Sequence, residues 1–389
     1  MQREDQQAVL ARATVFAESV IRPQAGHIDQ VEALPREIIT GIAEHGLLGA
    51  PIPAKYGGLG LDPVTYGKLT EIIGKACCST RTLLTVHTSL VGETLVKMGN
   101  AAQKEKYLPD LAAGKRLWCF ALSEPESGSN ANSVHTRYES KKNGFILNGK
   151  KKWISFAEIA DYYLLIAADN GVVSAFIVER DRPGIEIRPM KGLLGSRGSH
   201  MAEISLRNVE IPAENLLGQL GMGFNFIVNT ALHYGRYSVA WGGVAVGQAA
   251  LEEMVNYART REQFGQKIGQ FQLVKGMIAD AVTRVHAARA LCLKAGELHL
   301  ANDEQAVMET NIAKYFTSKV ALEVASDAVQ VFGGNGCWNQ YPVERLFREA
   351  KILEIIEGTS QLQQVLIADH GLRKYRRRKL TGLGEAYRE

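Results

Sequence analysis

The chain lacks a long apolar run. Its 389 residues are 46% hydrophobic, yet no stretch of about 18 consecutive apolar residues, the length a membrane-spanning helix needs, occurs in it. The first twenty residues, MQREDQQAVLARATVFAESV, are charged and polar where a signal peptide requires an apolar core. We therefore expect a cytoplasmic protein that has no membrane partner.

Charge of either sign is not in large excess, and residues that bind metals are not grouped. With 45 basic and 41 acidic residues the net charge is +4, too small to predict binding to nucleic acid. The five cysteines are an odd number without metal-type spacing, and adjacent Cys77 and Cys78 make a poor disulfide framework, so we expect reduced thiols. The nine histidines show no HExxH motif, and no GxSxG elbow is present. A metal site and a serine hydrolase are both disfavoured.

Hydrophobic periodicity divides the chain into three parts. Apolar residues first recur every three or four positions, then short β-branched or aromatic segments such as YYLLIAAD and VVSAFIVE follow, and long helical patterns return after GMGF. We predict an N-terminal α-helical domain (1–117), a middle β domain (118–225) and a C-terminal helical bundle (226–389) with a basic tail from about residue 373. A β insert between two helical blocks favours a ligand site at the seam between domains.

Four segments carry the residues that a flat ring or a phosphate group needs. They are ALSEPESGSNANSVHT (121–136), KKWIS (151–155), ARTREQFGQKIGQFQ (258–272) and DAVQVFGGNG (327–336). Glycine and small hydroxyl residues allow a planar ring or a pyrophosphate to approach the backbone closely. An arginine offers a fixed fork of donors to phosphate oxygens, and a loop with several glycines exposes backbone N–H groups to phosphate.

A fifth segment, LEIIEGTSQ (353–361), places two carboxylates three residues apart in an apolar stretch. A carboxylate acts as a base near neutral pH only if an apolar pocket raises its pKa, and Ile355 and Ile356 favour such a pocket around Glu357. Glu354 lies one helical turn back, and we expect it to be solvated or salt-bridged.

In this order, and across nearly the whole chain, the five segments resemble the acyl-CoA dehydrogenase family of flavoproteins. The resemblance implies an α+β fold with an N-terminal α-helical domain, a middle β-barrel domain and a C-terminal four-helix bundle. It also implies FAD as the cofactor. Because the family completes its FAD site across subunits, it further implies a homo-oligomer, either a dimer or a tetramer.

The resemblance assigns roles to individual residues. Glu357 matches the base that removes the proton α to a thioester carbonyl while the β-carbon gives a hydride to flavin N5. Some members carry this base on an earlier helix, where this chain has Gly235. The family usually has Asn-Gly where this chain has Phe156-Ala157. The positions that match cofactor contacts are Leu122, Ser123, Gly128, Ser129, Trp153, Ser155, Arg261, Phe264, Ile268, Gln272, Gln330, Val331, Gly334, Thr359 and Gln361.

A narrower resemblance concerns the substrate. The segment ALHYGRYSVAWGG (231–243), with CCST and GGLGL, resembles the branch that oxidises units bound to an acyl carrier protein, as in the making of hydroxymalonyl and methoxymalonyl extender units for polyketides. It implies a short, polar acyl group on a phosphopantetheine arm, with His233, Tyr234, Arg236 and Trp241 lining its pocket. The alternatives are that Trp241 belongs to the core and that Arg236 is a buried ion-pair partner.

Other interpretations stay open. The net reaction is either α,β-desaturation or oxidation at a hydroxyl- or aldehyde-bearing carbon. The second candidate is an acyl-CoA dehydrogenase for a short or branched CoA ester, and the third is a non-catalytic flavin-binding relative, although Glu357 and Arg261 are both present. The sequence does not indicate the electron acceptor. The tail RKYRRRK (373–379) either docks an acidic carrier protein or is a solvated charge run.

Overall fold

The first part of the chain is helical. In the computed structural model, which describes residues 3–376, the carboxylate of Asp62 accepts the N–H of Thr65 at 2.9 Å and begins one helix. At the start of another helix, the side chain of Asn100 accepts the N–H of Gln103, and the side chain of Gln103 accepts the N–H of Asn100. These bonds satisfy backbone groups that a helix end leaves free. The helices are α1 (Arg3–Phe16), α2 (Arg22–Val31), α3 (Arg36–Glu44), α4 (Pro63–Ala76), α5 (Cys78–Leu83), α6 (Glu93–Met98) and α7 (Ala101–Ala112). π-Helical segments at Ala17–Ile21 and Leu84–Gly92 join α1 to α2 and α5 to α6.

The middle part forms one eight-stranded sheet in the order β6-β7-β3-β2-β4-β5-β8, with β1 parallel to β4. Most neighbours are antiparallel, and β4 and β5 are buried along almost their whole length. This sheet is formed by the part of the chain for which the sequence predicted a β-barrel domain. Its strands are β1 (Trp118–Ala121), β2 (Arg137–Lys141), β3 (Gly144–Ile154), β4 (Tyr162–Asp169), β5 (Val172–Glu179), β6 (Ile185–Pro189), β7 (Ala202–Pro212) and β8 (Leu216–Leu217).

Helices return after a π-helical segment at Gly223–Val228. Three long helices, α8, α9 and α10, pack on one another, and α4 of the N-terminal part packs against the first two of them. A short hairpin, β9 (Glu262–Gln263) with β10 (Gln266–Lys267), precedes α9. The helices are α8 (Asn229–Thr260), α9 (Gln272–Leu300), α10 (Ala306–Phe332), α11 (Pro342–Leu353) and α12 (Ser360–Lys374).

Two apolar cores hold these parts. One joins the N-terminal helices to the sheet, and the other fills the C-terminal bundle. Among residues 3–376, no helix combines the length and the apolarity that crossing a membrane requires. Most of the predicted basic tail lies outside the described residues.

Candidate active site

A cavity of about 1460 Å³ is lined by residues from every part of the fold. The π-helical segment Leu84–Gly92, the loop after β1 and the end of β3 contribute to its wall. The start of α8 and the loop between α11 and α12 complete it. Glu357 lies on that last loop, so the carboxylate singled out in the sequence faces the cavity.

The backbone at Glu357 is held in a conformation that non-glycine residues rarely adopt. Its φ is 55°, and the next residue, Gly358, has φ 94°. Two cationic side chains brace this turn: Arg236 Nε donates to the carbonyl of Glu357 at 3.0 Å, and Lys314 Nζ donates to the carbonyl of Gly358 at 2.7 Å. Because both donors come from long helices of the bundle, the strained loop is fixed to a rigid support.

One oxygen of the Glu357 carboxylate is withdrawn from water, while the residue as a whole is partly exposed. Its Oε2 atom is buried, and no hydrogen-bond partner for it exists among residues 3–376. Burial raises the pKa of Glu357 to about 7, although the positive charges of Arg236, Lys314 and Arg81 act in the opposite direction. A carboxyl group with a pKa near neutrality is suited to accept a proton at neutral pH. Glu354, by contrast, pairs with Lys351 at 2.7 Å, as the sequence predicted.

Another part of the cavity wall is built mainly from small residues and one aromatic ring. Leu122, Ser123, Gly128 and Ser129 line it in one loop. A Cβ atom built on Gly128 would have no atom within 4 Å, so this loop leaves open space on its cavity side. Trp153 lines the cavity with 53% of its surface exposed, so its ring is accessible to another flat ring, and the ammonium group of Lys152 lies over the ring at 5.2 Å from its centroid.

A buried ion pair between Lys151 and Glu124 stabilises this loop. Lys151 Nζ donates to Glu124 Oε1 at 2.7 Å and to the carbonyl of Leu122 at 3.0 Å. The carboxylate of Glu124 also accepts the backbone N–H groups of His135, at 2.6 Å, and Thr136, at 2.9 Å. Both side chains of the pair are almost completely buried. The pair therefore ties both ends of the loop to β3.

Family models of the acyl-CoA dehydrogenases match all three parts of the chain. The N-terminal domain model matches residues 3–115, the middle domain model 119–209 and the C-terminal domain model 221–372. The chain belongs to the acyl-CoA dehydrogenase family.

Known relatives and the solved structures of similar proteins agree with membership in this family. An acyl-CoA dehydrogenase of Bacillus subtilis (strain 168) is 39% identical, covering 94% of this chain and 98% of the relative. The structure of butyryl-CoA dehydrogenase from Megasphaera elsdenii superposes with a TM-score of 0.92 at 33% identity, covering 96% of this chain and 99% of that one. FkbI, for biosynthesis of the methoxymalonyl extender unit of the Fk520 polyketide, superposes with a TM-score of 0.87 at 32% identity, covering 92% and 99%.

As a member of this family, the chain is a FAD-dependent oxidoreductase of acyl thioesters. The cavity fits such a cofactor, since it combines a large volume with the open space at Gly128 and the exposed ring of Trp153. Ser155, at the predicted hydroxyl position, also lines it. Phe156, where the family usually has Asn, is fully buried and has φ 63°. This chain thus has an aromatic residue in a left-handed backbone conformation where the family usually has Asn. Phe156 does not line the cavity.

The remaining predicted cofactor residues of the dehydrogenase fall into two groups. Thr359 lines the same cavity and begins α12, where its hydroxyl accepts the N–H of Leu362, while Gln361 is exposed and does not line the cavity. The second group lies at the opposite end of α8, about 38 Å from Gly235 at 1.5 Å per residue. It consists of Arg261, Phe264, Ile268, Gln272, Gln330, Val331 and Gly334, of which only Ile268 is buried. This group is not part of the cavity around Glu357.

Three of the predicted substrate residues line the cavity, and the fourth does not. His233, Tyr234 and Arg236 are on its wall. The prediction that Trp241 lines the pocket is wrong, because this side chain is completely buried in the bundle core, where its ring packs onto Gly67 and edge-on against Tyr237. Arg236 makes no ion pair in residues 3–376; it donates to Asn311 and to the loop carbonyl instead.

Two further residues at the site, Lys314 and Arg81, were not predicted from the sequence. Lys314 is fully buried in α10, and Arg81 is fully buried at the start of α5 while lining the cavity. A sequence signal existed for both. Each is the one lysine or arginine in a stretch of mostly apolar or small residues, CCSTRTLLTVHTSLVG and NIAKYF, and such a charge is almost never fully buried unless it is paired.

Proposed function

We propose that this protein dehydrogenates a short, polar acyl group carried as a thioester on the phosphopantetheine arm of an acyl carrier protein, with Glu357 as the base. The observation that carries the proposal is the state of this carboxylate. It faces a large cavity, its Oε2 atom has no partner among residues 3–376, and burial raises its pKa to about 7.

Glu357 would remove the proton from the carbon α to the thioester carbonyl. The carboxylate of this partly exposed residue accepts that proton, and no donor among residues 3–376 occupies its Oε2 atom. Arg236 and Lys314 hold the loop by its carbonyl groups and leave the carboxylate free. The FAD, when bound, supplies the acceptor for the hydride that leaves the substrate.

The cofactor would lie along the wall formed by Leu122–Ser129 and Trp153–Ser155. The Glu124–Lys151 pair keeps this wall in place by bonding both to the backbone and to each other. We place the second group of predicted cofactor residues against the FAD of a neighbouring subunit. Phe264, which is 93% exposed, and the exposed Arg261, Gln272 and Gln330 support that arrangement, since they offer stacking and hydrogen-bonding groups to something outside the chain.

The choice of a carrier protein rests on two observations. The segment at 231–243 resembles the branch that acts on carrier-bound units, and FkbI, which serves a polyketide pathway, has the same fold at 32% identity. The polar lining by His233, Tyr234 and Arg236 favours a polar acyl group over a plain alkyl chain.

The second candidate is a dehydrogenase of short or branched acyl-CoA esters. It is favoured by the 39% identity to the acyl-CoA dehydrogenase of Bacillus subtilis and by the close superposition on butyryl-CoA dehydrogenase. Both candidates need the same base and the same cofactor wall, so the carrier alone separates them.

Anaerobic bleaching of the flavin tests both candidates. A panel of short acyl groups is loaded in parallel on CoA and on phosphopantetheinylated carrier protein, and the absorbance of oxidised flavin is followed after mixing. Bleaching by the carrier-bound set alone supports the carrier-protein proposal. Equal or faster bleaching by the CoA esters contradicts it and favours the second candidate.

A further inference from the structure

Lys314 is a fully buried cation that contacts the loop carrying Glu357. It belongs to α10 and does not line the cavity, so it cannot touch a substrate there. Its ammonium group donates to the carbonyl of Gly358 at 2.7 Å, and among residues 3–376 this main-chain oxygen, not a carboxylate, is its acceptor. Lys151 is the contrast within this chain, since this second fully buried lysine pairs with the carboxylate of Glu124.

A buried ammonium group is a costly means of holding one carbonyl. Removing a charge from water carries a large desolvation penalty, and a neutral amide could donate the same hydrogen bond without it. The chain already has such an amide in Gln363, whose Nε2 atom lies 3.4 Å from the carbonyl oxygen of Glu357 and 3.5 Å from that of Gly358. Attachment of the loop alone therefore does not account for the charge of Lys314.

The hydrogen bond of Lys314 fixes a peptide group next to the base. Glu357 has φ 55° and Gly358 has φ 94°, and a non-glycine residue is strained in this conformation. The two carbonyls of this turn accept from donors on two long helices, Arg236 of α8 and Lys314 of α10. The side chain of Glu357 is meanwhile left to line the cavity. Loss of one donor would allow the turn to relax and would move the carboxylate.

The charges of Lys314 and Glu357 act on each other. Burial lowers the pKa of Lys314 to about 8, while the carboxylates of Glu357 and Glu354 raise this pKa and the charge of Arg236 lowers it. Burial raises the pKa of Glu357 to about 7, and three cations lower it, from α8, α10 and α5. They are Arg236, Lys314 and Arg81. Lys314 is therefore mostly charged over the range in which Glu357 titrates, and its charge favours the carboxylate form, which accepts a proton.

We propose that Lys314 is a positioning residue for the base: its hydrogen bond to Gly358 keeps the carboxylate of Glu357 directed into the cavity, and its positive charge keeps that carboxylate ionised. This inference rests on the proposed function, because it concerns the base of that same site. Lys314 acts through Glu357 and does not itself line the cavity. Its buried charge thus has a function that a neutral donor such as Gln363 cannot supply.

A titration without substrate tests the charge of Lys314. The difference in Tm between Glu357→Gln and its parent is measured between about pH 5 and pH 9 on FAD-loaded protein, once in the wild-type background and once with Lys314→Met. The midpoint of this difference reports the titration of Glu357. We expect Lys314→Met to move the midpoint upward by at least about half a pH unit, because a positive charge near the carboxylate has been removed.

Flavin reduction tests the hydrogen bond of Lys314. The probe is the thioester of the panel that bleaches the wild-type flavin fastest, and the limiting rate is taken at a pH where each protein has reached its plateau. Lys314→Met should lower this rate at least about tenfold, because the base is misaligned, while the dissociation constant of the thioester changes less than about threefold. Lys314→Gln, which keeps a shorter donor without the charge, should recover part of the rate but retain the raised midpoint.

Lys319→Met is the matched control. Lys319 lies on the same helix, its side chain is exposed, and its ammonium group lies over the ring of Tyr315. This variant should change neither the midpoint nor the limiting rate. If Lys314→Met does not fold, the midpoint of Lys314→Gln decides, since this variant also removes the charge.

An unchanged midpoint in Lys314→Met overturns the inference, because a lysine with a merely structural role would affect stability and not the titration of Glu357. A limiting rate within twofold of wild type overturns it as well. Failure of the proposed function looks different. If no thioester bleaches the flavin of the wild-type protein, the dehydrogenase proposal is contradicted, while the midpoint measured without substrate still reports on Lys314.

Discussion

The Oε2 atom of Glu357 occupies the space that a side chain on Gly235 would need. A Cβ atom built on Gly235 would lie 2.7 Å from that oxygen and 2.5 Å from Cδ2 of Leu90. The family resemblance also matches Gly235 to the position at which some members carry their base. In this chain the two positions for a base exclude each other, because a side chain on α8 and the carboxylate from the loop would fill the same volume.

Replacing Gly235 with alanine should displace the carboxylate of Glu357. We expect Gly235→Ala to bind FAD normally and to lose at least about tenfold in the rate of flavin reduction, because a base moved by about an ångström is misaligned with its proton. Stopped-flow reduction under anaerobic conditions measures this rate. Gly26→Ala is the matched control, since Gly26 is also helical and an added Cβ there meets only the flexible end of Arg345 at 3.4 Å. A Gly235→Ala rate within twofold of wild type would contradict the account.

The rate of flavin reduction should depend on pH through Glu357. Burial raises the pKa of this carboxyl to about 7, and only the deprotonated form accepts a proton. The rate should therefore be low at pH 5, rise through about pH 7 and level off above pH 8, after correction for any other titration. Single-turnover rates across this range give the profile. A rate that is already maximal at pH 5 would exclude Glu357 as a buried base.

The stability of the folded protein should also depend on pH through Glu357, but this contribution should fall as the pH rises. The folded protein holds the proton of Glu357 more tightly than the unfolded chain, whose carboxyl titrates near 4.5, so the contribution of this group is most favourable below pH 4.5 and is lost as the pH rises to about 7. The difference in Tm between Glu357→Gln and wild type should thus be more positive at pH 8 than at pH 5. Thermal unfolding of both proteins with saturating FAD measures it. A difference that does not change between these pH values would contradict the burial of an ionisable carboxyl.

The buried Glu124–Lys151 pair should control FAD retention. Lys151→Met leaves the carboxylate of Glu124 buried without its counter-charge, and breaking a buried pair costs about 3–5 kcal/mol. We expect FAD affinity to fall at least about tenfold, and the double variant Lys151→Met/Glu124→Gln to lose less than the sum of the single variants. Lys141→Met is the control, because its pair with Glu139 is on the surface and such pairs contribute only about 0–1 kcal/mol. Unchanged FAD binding in Lys151→Met would refute a supporting role.

The sequence predicted the three-part fold from local patterns, and the family resemblance of one segment selected Glu357 as the base. The helical period, the β-branched strands and the segment EIIEGTSQ can all be read directly from the amino-acid sequence. The ion pair of Glu354 was also predictable, since Lys351 is one turn away on the same helix.

Long-range packing explains what the sequence did not reveal. The side chain of Trp241 points into the core because Gly67 of α4 leaves room for its ring, a contact between residues 174 positions apart. Arg81 and Lys314 each stand out in the sequence as a lone basic residue, but they face the site only because α5 and α10 meet the same region, and no local pattern indicates that meeting. A backbone hydrogen bond from Lys152 N–H to the carbonyl of Ser123 joins the loop after β1 to the end of β3, so the pairing of Glu124 with Lys151 also follows from tertiary structure.

The most direct test of the account is flavin reduction by the Glu357→Gln variant. Glutamine keeps the shape of the side chain but cannot accept the proton, so this variant should fold, bind FAD and remain yellow after anaerobic mixing with a thioester that bleaches the wild-type protein. Glu354→Gln, altered three residues earlier at a side chain that pairs with Lys351, should bleach like wild type. Bleaching of Glu357→Gln at the wild-type rate would contradict the assignment of Glu357 as the base.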